Sequence, residues 1–272
     1  MLESALQLQH PFNLQDRTAL VTGAGRGIGR ATALALAQAG ARVIVVSRTR
    51  SQLDEVVDAI TTAGGQAIAI DADLTIADSM EAVVSQAEGL WSAAGIDILV
   101  NNAAISPYVK GAEDMTTQEW RHLLDVNLDG PFELTRRLGK AMLNRGKGVV
   151  INVTSLAGAR AIPKLSAYTS SKSALTGLTR ALGVEWAERG VRVNAVAPGF
   201  TLTPAMQSRI DSGDRDPKGM EALSTLGRLV KPEEVAEAGY FLCSEAAAAI
   251  TGVNLAVDCG YMAAISYNSY PS

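Results

Sequence analysis

The chain has 272 residues with 47% hydrophobic and 19% charged side chains, a balance typical of a folded globular protein rather than a disordered one. Its net charge of −4 and its scattered Lys and Arg residues argue against a nucleic-acid partner. Two cysteines and two histidines provide neither a disulfide framework nor a metal-binding cluster, so we expect no bound metal.

The beginning of the chain, MLESALQLQHPFNLQD, lacks the basic region and apolar core of a secretory signal. Apolar runs in the sequence also stop short of the roughly 18–20 residues that would span a bilayer. These features predict a cytoplasmic protein without a membrane partner.

Short apolar runs alternate with helical stretches from Thr18 to Val257, as in folds whose parallel strands are joined by right-handed helical crossovers. The nearly all-apolar run RVIVV favours a strand that is buried on both faces of its sheet. We predict an α/β fold, namely a single-domain, doubly wound (Rossmann-type) parallel seven-stranded sheet with helices on both faces. The predicted strands are 18–22, 42–46, 66–70, 96–100, 149–154, 191–198 and 253–258.

Two long helices and one irregular segment are predicted in the second half of the chain. Thr116 and Glu119 form a capping box that opens a helical stretch over 116–146, and a second helix is predicted over about 168–189. The segment 200–226 is rich in Ser, Asp, Gly and Lys, which indicates a binding loop or lid, or a merely tolerated insertion. The predicted organisation is an N-terminal extension (1–16), a dinucleotide-binding catalytic domain (17–264) with a substrate loop at about 200–227, and a C-terminal tail (265–272).

A cluster of glycines follows the first predicted strand and reads TGAGRGIG over 22–29. Its spacing fits T-G-x-x-x-G-x-G rather than G-x-G-x-x-G, because Ile28 and Arg30 break the latter pattern. Glycines let the backbone turn tightly and approach a pyrophosphate, whose charge then lies at the N-terminus of the next helix. The position of the turn in the first βα unit favours nucleotide binding over a tight turn without a ligand.

A candidate acid–base pair lies in the helix predicted over 168–189. Tyr168 and Lys172 are four residues apart and so share one helix face, which places the ammonium group near the phenol. A nearby cation favours the phenolate and is expected to lower the pKa of Tyr168 towards the range of a general acid or base. Such a pair on its own is more often an exposed helix pair. Ser155, at the carboxyl end of a central strand, favours catalysis because its hydroxyl can donate to a substrate oxygen.

The ordered motifs of the chain resemble those of the short-chain dehydrogenase/reductase family, over about 12–263. Two positions depart from the family pattern: Ala104 and Cys259 stand where glycine is more common. The motifs that carry the resemblance are T-G-x-x-x-G-x-G at 22–29, N-N-A at 101–103, Ser155, Y-x-x-x-K at 168–172 and P-G at 198–199.

The resemblance implies roles for individual residues. Asn127 takes the fourth catalytic position beside Ser155, Tyr168 and Lys172, where it is expected to hold a water that relays protons through Lys172 and the cofactor ribose. The alternative for Asn127 is backbone capping at a helix kink. In the implied cofactor site Asp73 and Leu74 flank the adenine, Asn101 contacts the adenosine ribose, and Thr201 and Thr203 meet the carboxamide and phosphate region. The full set of predicted cofactor residues is Gly23, Arg26, Gly27, Ile28, Gly29, Ser47, Arg48, Asp73, Leu74, Asn101, Ala103, Tyr168, Lys172, Pro198, Gly199, Thr201 and Thr203.

The end of the second strand predicts a preference for NADP(H). A dinucleotide fold that prefers NAD places an acid there to bind the ribose 2′-hydroxyl, but this chain has Ser47 followed by Arg48. An arginine can bind the 2′-phosphate of NADP with forked hydrogen bonds, and Arg26 can approach the same phosphate from the glycine turn. The alternative is that these arginines are ordinary surface cations.

The substrate is less well defined by the sequence. The predicted pocket carries few charges, which favours a neutral, moderately apolar carbonyl compound, although sugar acids and acyl thioesters stay open. The predicted pocket residues are Ile105, Ala157, Ile162, Pro163, Leu165, Phe200 and Met206.

We therefore predict an NADP(H)-dependent ketone reductase or alcohol dehydrogenase acting on a small-molecule carbonyl or alcohol substrate. The alternatives are an NAD(H)-dependent sugar, polyol or sugar-acid dehydrogenase, a 3-oxoacyl thioester reductase, and a non-catalytic NADP-sensing regulator. Apolar surface on the two long helices, together with the family resemblance, predicts a homo-oligomer, either a dimer or a tetramer.

Overall fold

The computed structural model describes residues 11–91, 95–105 and 108–264. Seven parallel strands form one sheet, as the sequence predicts. They are β1 Thr18–Thr22, β2 Arg42–Ser47, β3 Gln66–Asp71, β4 Ile98–Asn101, β5 Gly148–Val153, β6 Val191–Pro198 and β7 Asn254–Val257.

Helices connect the strands and cover both faces of the sheet. The α-helices in the described residues are α1 Gly27–Gln38, α2 Arg50–Thr62, α3 Ala77–Gly89, α4 Thr117–Leu124, α5 Gly130–Arg145, α6 Ser166–Glu185, α7 Pro204–Asp211, α8 Pro217–Ala222 and α9 Pro232–Cys243. None of the helices in the described part of the chain is both long and apolar enough to cross a membrane.

The sheet is the centre of two hydrophobic layers. Helices α1, α2 and α9 pack on one face, and α3, α5 and α6 pack on the other. The residues of β1 are fully buried, and Val21 pairs with Val45 of β2 and Val100 of β4. Because both faces are covered, the central strands read as nearly continuous apolar runs instead of alternating ones.

The strand order β3-β2-β1-β4-β5-β6-β7 reverses direction at β1. The chain winds outwards from β1 through β2 to β3, and then returns to β4 on the other side of β1. In an open parallel sheet, a crevice forms at this switch point beside the carboxyl ends of the strands. The glycine turn follows β1, and Ser155 lies two residues beyond the end of β5, so the fold brings both to this crevice.

The helix predicted over 116–146 is interrupted in the structure. The capping box of Thr116 and Glu119 is present, but α4 ends at Leu124 and a π-helical segment, Asp125–Asp129, precedes α5. The N–H of Gly130 donates to the carbonyl of Asp125, five residues back, which inserts one extra residue into the turn. Pro131 then has no N–H to continue the ladder, which accounts for a break at this point.

The other two predictions for the second half also need correction. Helix α6 ends at Glu185, and 187–189 form a separate 3₁₀ turn before Gly190, whose φ of 73° closes it. The segment 200–226 is not irregular throughout, because it contains α7 and α8. Each helix is preceded by a capping residue and begins with proline: the N–H of Met206 donates to Thr203, and those of 218 and 219 donate to Asp216.

Residues from the predicted N-terminal extension pack on the domain. Leu14 is buried in the core, and the hydroxyl of Tyr240 on α9 donates to the carbonyl of Phe12. The predicted C-terminal tail, 265–272, lies outside the described residues, as do residues 1–10 of the extension.

Candidate active site

A cavity of about 560 Å³ lies at the carboxyl ends of the strands. This volume is within the range of about 300–1,000 Å³ that is typical of small-molecule sites. Residues that follow β1, β2, β3, β4 and β5 line it, and α7 forms its outer wall. Because the sheet order brings these strand ends together, residues far apart in sequence share one site.

The glycine turn forms the floor of the cavity where it meets α1. A Cβ at Gly23 would lie 2.9 Å from the Cα of Ala103, and one at Gly29 would lie 2.2 Å from the carbonyl oxygen of Gly23. Gly23 and Gly27 also have φ values of 63° and 56°, which favour glycine. Only glycine fits these positions, and the free N–H groups at the start of α1 make the turn a natural anion site.

The residues after β4 hold the glycine turn in place. Thr22 Oγ1 accepts hydrogen bonds from the N–H groups of Asn102 and Ala103, each at 3.0 Å. The Asn102 side chain donates back to the carbonyl of Thr22 at 2.9 Å. This role of Asn102 was not predicted, although the doubled asparagine at 101–102 was an available signal.

Asn101 points into the protein interior. Its amide donates to Thr135 Oγ1 at 2.8 Å and to Asn152 Oδ1 at 2.9 Å, and the residue is 2% exposed. Its Oδ1 is buried and accepts no hydrogen bond from the described residues. The predicted contact of Asn101 with a ribose stays a prediction.

Basic and polar residues surround the end of β2. Arg48 is two-thirds exposed, and its Nη1 lies 3.9 Å from Asp73 Oδ2 beyond β3. Hydrogen bonds from Thr75, together with the charge of Arg48, lower the pKa of Asp73 below its ordinary value. Ser47 and Gln52 pack against Gly25 of the glycine turn, where an added Cβ would lie 2.9 Å from the Gln52 Cβ. The end of the cavity beside β2 therefore offers the exposed guanidinium group of Arg48 and the ionised carboxylate of Asp73.

The side chains of Ser155 and Tyr168 line the cavity next to each other. Ser155 also begins the 3₁₀ turn after β5, since its Oγ accepts from the N–H of Ala157 at 3.1 Å. Burial raises the pKa of the Tyr168 phenol, and the hydrogen bond from Ser155 opposes that rise. The two hydroxyl groups that the sequence predicts to act together are thus adjacent.

Lys172 lies one helical turn from Tyr168 but is almost fully buried. Its Nζ lies 5.9 Å from the centre of the Tyr168 ring and donates to the carbonyl of Val153 at 2.8 Å. Burial lowers the pKa of Lys172 to about 8. The prediction that Lys172 gives Tyr168 a lowered pKa is wrong for this structure, because burial of the phenol outweighs the other effects on the Tyr168 pKa.

Asn127 lies in the π-helical segment and is fully buried. Its Oδ1 accepts from the N–H of Ile105 at 2.9 Å, and its Nδ2 donates to Ser171 Oγ at 3.4 Å. Ser171 in turn donates to the carbonyl of Tyr168 at 2.8 Å. Asn127 therefore links the wall of the cavity to α6. Its Oδ1 bonds the backbone of a distant segment and not that of its own helix, so the predicted role in holding a water stays a prediction. Ser171, which directly precedes Lys172, was not predicted.

Most of the apolar residues predicted for the substrate pocket line the cavity, but charged residues line it as well. Pro163 does not line the cavity, whereas Arg209 and Arg215 do. The cavity thus includes two cations from α7 and the turn after it that were not among the predicted pocket residues. The predicted pocket residues that line the cavity are Ile105, Ala157, Ile162, Leu165, Phe200 and Met206.

Most of the predicted cofactor residues also line this cavity. Thr201 is buried and donates to the carbonyl of Gly199 at 3.1 Å. Four of the predicted cofactor residues do not line the cavity, namely Gly29, Pro198, Thr201 and Lys172. The predicted cofactor residues at the cavity surface are Gly23, Arg26, Gly27, Ile28, Ser47, Arg48, Asp73, Leu74, Asn101, Ala103, Tyr168, Gly199 and Thr203.

The residues present fit a nicotinamide dinucleotide. The glycine cradle, formed by Gly23, Gly25 and Gly27, lines the cavity at the start of α1, where the helix N-terminus suits a pyrophosphate. Thr203 lies beside this cradle, with its methyl group 3.3 Å from the position of a Cβ at Gly27. Asp73 and Leu74 line the far end, where the adenine is predicted, and Tyr168 lines the near end.

Comparison with known proteins gives the same assignment. A protein-family model described as enoyl-(acyl carrier protein) reductase matches residues 23–262. The chain belongs to the short-chain dehydrogenase/reductase family. It is 37% identical over 254 residues to a cyclohexanol dehydrogenase from Acinetobacter sp. (strain SE19), covering 93% of this chain and 97% of that protein.

Two further relatives act on, or are named for, sugar acids. A 2-dehydro-3-deoxy-D-gluconate 5-dehydrogenase from Bacillus subtilis (strain 168) is 38% identical, covering 94% of this chain and 98% of that protein. A crystal structure from Beutenbergia cavernae, provisionally named an NAD(P)-dependent gluconate 5-dehydrogenase, contains NADP at low occupancy. It has a TM-score of 0.87 and 41% identity, covering 93% of this chain and all of that one. This short-chain dehydrogenase/reductase is thus an oxidoreductase that acts on alcohol groups with a nicotinamide cofactor.

Proposed function

We propose that this protein is an NADP(H)-dependent oxidoreductase that interconverts a ketone and a secondary alcohol. The observation that carries the proposal is the neighbouring Ser155 and Tyr168 side chains, which line the same cavity as the glycine turn. The test is spectrophotometric: loss of NADPH absorbance is followed with a panel of ketones, keto-sugars, keto-acids and 3-oxoacyl thioesters. Cofactor binding without turnover on the panel would instead favour the non-catalytic sensor.

The chain's own residues supply proton transfer and stabilisation of charge. When bound, the cofactor supplies or accepts the hydride. In the reductive direction the Ser155 hydroxyl donates a hydrogen bond to the carbonyl oxygen as negative charge develops there. Tyr168 donates its phenolic proton to the same oxygen, and in the oxidative direction its phenolate accepts that proton. Asn127 is proposed to hold the water that returns protons through Lys172.

The preference for NADP(H) rests on the end of β2. Arg48 is exposed and lies on the cavity surface together with Arg26, while Ser47 stands where an acid would disfavour a 2′-phosphate. Arg48→Ala is expected to weaken NADPH binding by about 10-fold or more, because a hydrogen bond to a charged group contributes about 1.5–3 kcal/mol. NADH binding should change by less than about 3-fold. Calorimetric titration of both cofactors measures the two effects.

Ser47→Asp is the complementary change. A carboxylate at this position accepts from the ribose 2′-hydroxyl and repels the 2′-phosphate, so the ratio of kcat/KM with NADH to that with NADPH should rise. Arg30→Ala is a suitable control, since Arg30 is an exposed cation of α1 that does not line the cavity. Equal losses for both cofactors with Arg48→Ala, or a wild-type preference for NADH, would contradict the assignment and favour the NAD(H)-dependent alternative.

We also propose that the protein is a homodimer or homotetramer. Trp120 on α4, Phe132 on α5 and Val184 on α6 are exposed apolar side chains, and Val184 is 76% exposed. Helix α4 packs against α6, so this apolar surface spans neighbouring helices. Large exposed apolar patches on neighbouring elements are typical of interfaces between identical subunits.

Val184→Arg is expected to shift the protein towards smaller species, because it places an unpaired charge in the proposed interface. Ile76→Arg is the control, since Ile76 is also exposed but precedes α3. Light scattering at micromolar concentration measures both variants. A wild-type mass of 28.5 kDa, that of one chain, would refute the proposal.

A further inference from the structure

Arg209 and Arg215 line the cavity together with Pro204, Ala205 and Met206 of α7. Arg209 lies in the last turn of α7, and Arg215 lies between α7 and α8. The N–H of Arg215 donates to the carbonyl of Arg209 at 3.1 Å, which holds the two residues next to each other. Both are half-buried. The fold therefore places two arginines, joined through their backbones, in the lining of the catalytic cavity.

The acidic residues nearest to this pair in sequence are bound to other groups. Asp211 accepts from Gln207 at 2.7 Å, and Asp214 accepts from Ser212 at 3.0 Å. Asp216 caps α8 by accepting from two backbone N–H groups. The ion pairs found within 11–91, 95–105 and 108–264 do not include Arg209 or Arg215. Arg215 Nη1 donates only to the neutral carbonyl of Asp214, at 3.4 Å, so the positive charges of the two arginines are available to a ligand in the cavity.

The position of the pair separates it from the predicted phosphate sites of the cofactor. Thr203, at the start of α7, contacts the glycine turn beside Gly27. Arg209 follows six residues later, which corresponds to about 9 Å along a helix axis. It shares a helix face with Met206, three residues earlier, a predicted substrate-pocket residue that also lines the cavity.

We infer that Arg209 and Arg215 bind an acidic group of the substrate, and that the natural substrate is a hydroxy or keto compound carrying a carboxylate. Arginine suits this role because its planar, forked donors match the two oxygens of a carboxylate. The carboxylate would be held at the opening while the carbonyl or alcohol group reaches Ser155 and Tyr168. This inference rests on the proposed function, and it replaces the neutral substrate that the sequence favours.

The same guanidinium groups could instead contact a phosphate of the cofactor, and the experiment separates the two sources of negative charge. Reduction of 4-oxocyclohexanecarboxylate is compared with that of its primary amide, which has nearly the same shape without the charge. We expect wild-type kcat/KM to be at least about 10-fold higher for the acid, the equivalent of one charged hydrogen bond. Arg209→Gln and Arg215→Gln should each reduce this preference, and the double variant should remove it.

Two further variants control for charge and folding. Lys218→Gln removes an exposed cation of α8 that does not line the cavity, and it should leave the preference for the acid unchanged. Arg209→Lys keeps the charge without the forked donors and should retain part of the preference. The affinity for NADPH, measured without substrate, should change by less than about 3-fold in Arg209→Gln and Arg215→Gln.

A binding measurement keeps this inference distinct from the proposed reaction. Cyclohexanecarboxylate and cyclohexanecarboxamide, which cannot be reduced by a dehydrogenase, are titrated calorimetrically into the NADPH-saturated protein. Tighter binding of the acid that is lost in the double variant supports the anion site even if every ketone fails to react. Reduction of the acid and the amide at equal rates would overturn the inference while leaving the proposed function intact. Equal weakening of NADPH by both single variants would assign the arginines to the cofactor.

Discussion

Tyr168→Phe is expected to lower turnover by at least about 100-fold, because general acid–base catalysis typically contributes 10²- to 10⁴-fold. The substitution keeps the aromatic ring and its packing but removes the only proton that the side chain can donate. Folding and NADPH affinity should therefore be preserved. Steady-state kinetics in both directions measure the loss, with circular dichroism and calorimetry as checks on folding and on cofactor binding.

Tyr240→Phe is the matched control for this substitution. Tyr240 lies on α9 and donates to the carbonyl of Phe12, on the other side of the domain core from the catalytic pair. Its hydroxyl contributes to packing of the N-terminal segment, so its loss should affect stability more than turnover. If Tyr168→Phe retains more than about a tenth of wild-type turnover, Tyr168 is not the acid.

Lys172→Met is expected to lower turnover strongly and to shift the pH dependence of alcohol oxidation. Oxidation requires the Tyr168 phenolate, so the rate should rise with pH. Burial raises the pKa of Tyr168, and any positive charge nearby lowers that pKa. The pKa of Lys172 is about 8, so its charge is present below that pH and is lost above it. Lys172→Met should therefore lose a larger fraction of wild-type oxidation activity below about pH 8, where the lysine is charged, than above it.

A double-variant cycle shows whether both residues serve the same proton transfer. The losses in Tyr168→Phe and Lys172→Met should then be far from additive. Methionine approximates the length of the lysine stem and suits a side chain that is 3% exposed. The same fractional loss of activity in Lys172→Met below and above pH 8 would mean that the Lys172 charge does not influence the phenol.

The sheet could be predicted from the sequence because its strands are short apolar runs separated by helical stretches. The strand ends shift by one or two residues: β4 begins at Ile98, not 96, and β2 extends to Ser47. Glycine positions were also readable, since Gly23 and Gly29 fit only where the backbone approaches itself closely. Features that depend on local steric fit and on burial can thus be predicted from the sequence.

The interruption at Asp125–Asp129 was not predicted, because a π-helical turn keeps a nearly helical pattern of side chains. Pro131 was the local signal for it. Helices α7 and α8 were missed because their composition is polar, although Thr203-Pro204 and Asp216-Pro217 are typical helix starts. In both cases a proline was a better indicator of the local structure than the composition of the surrounding segment.

The proposed catalytic residues come from sequence motifs, but their electrostatics depend on the fold. Spacing places Lys172 near Tyr168, yet it does not reveal that Lys172 is buried and bound to the carbonyl of Val153. The charges of Arg209 and Arg215 in the cavity depend equally on how α7 folds over the opening. Such properties depend on packing between residues that are far apart in the chain, which the sequence alone does not reveal.

The most direct test of the central claim is deuterium transfer from NADPH that is deuterated at the hydride-donating carbon. The protein is incubated with this cofactor and the ketone panel, and products are analysed by mass spectrometry. We expect an alcohol with one deuterium at the former carbonyl carbon in wild type, and at least about 100-fold less of it in Tyr168→Phe. Two results would contradict the assignment of Tyr168 as the acid of an NADP(H)-dependent oxidoreductase. In the first, the protein binds NADPH but forms no deuterated alcohol from the panel. In the second, the Tyr168→Phe variant forms that alcohol at the wild-type rate.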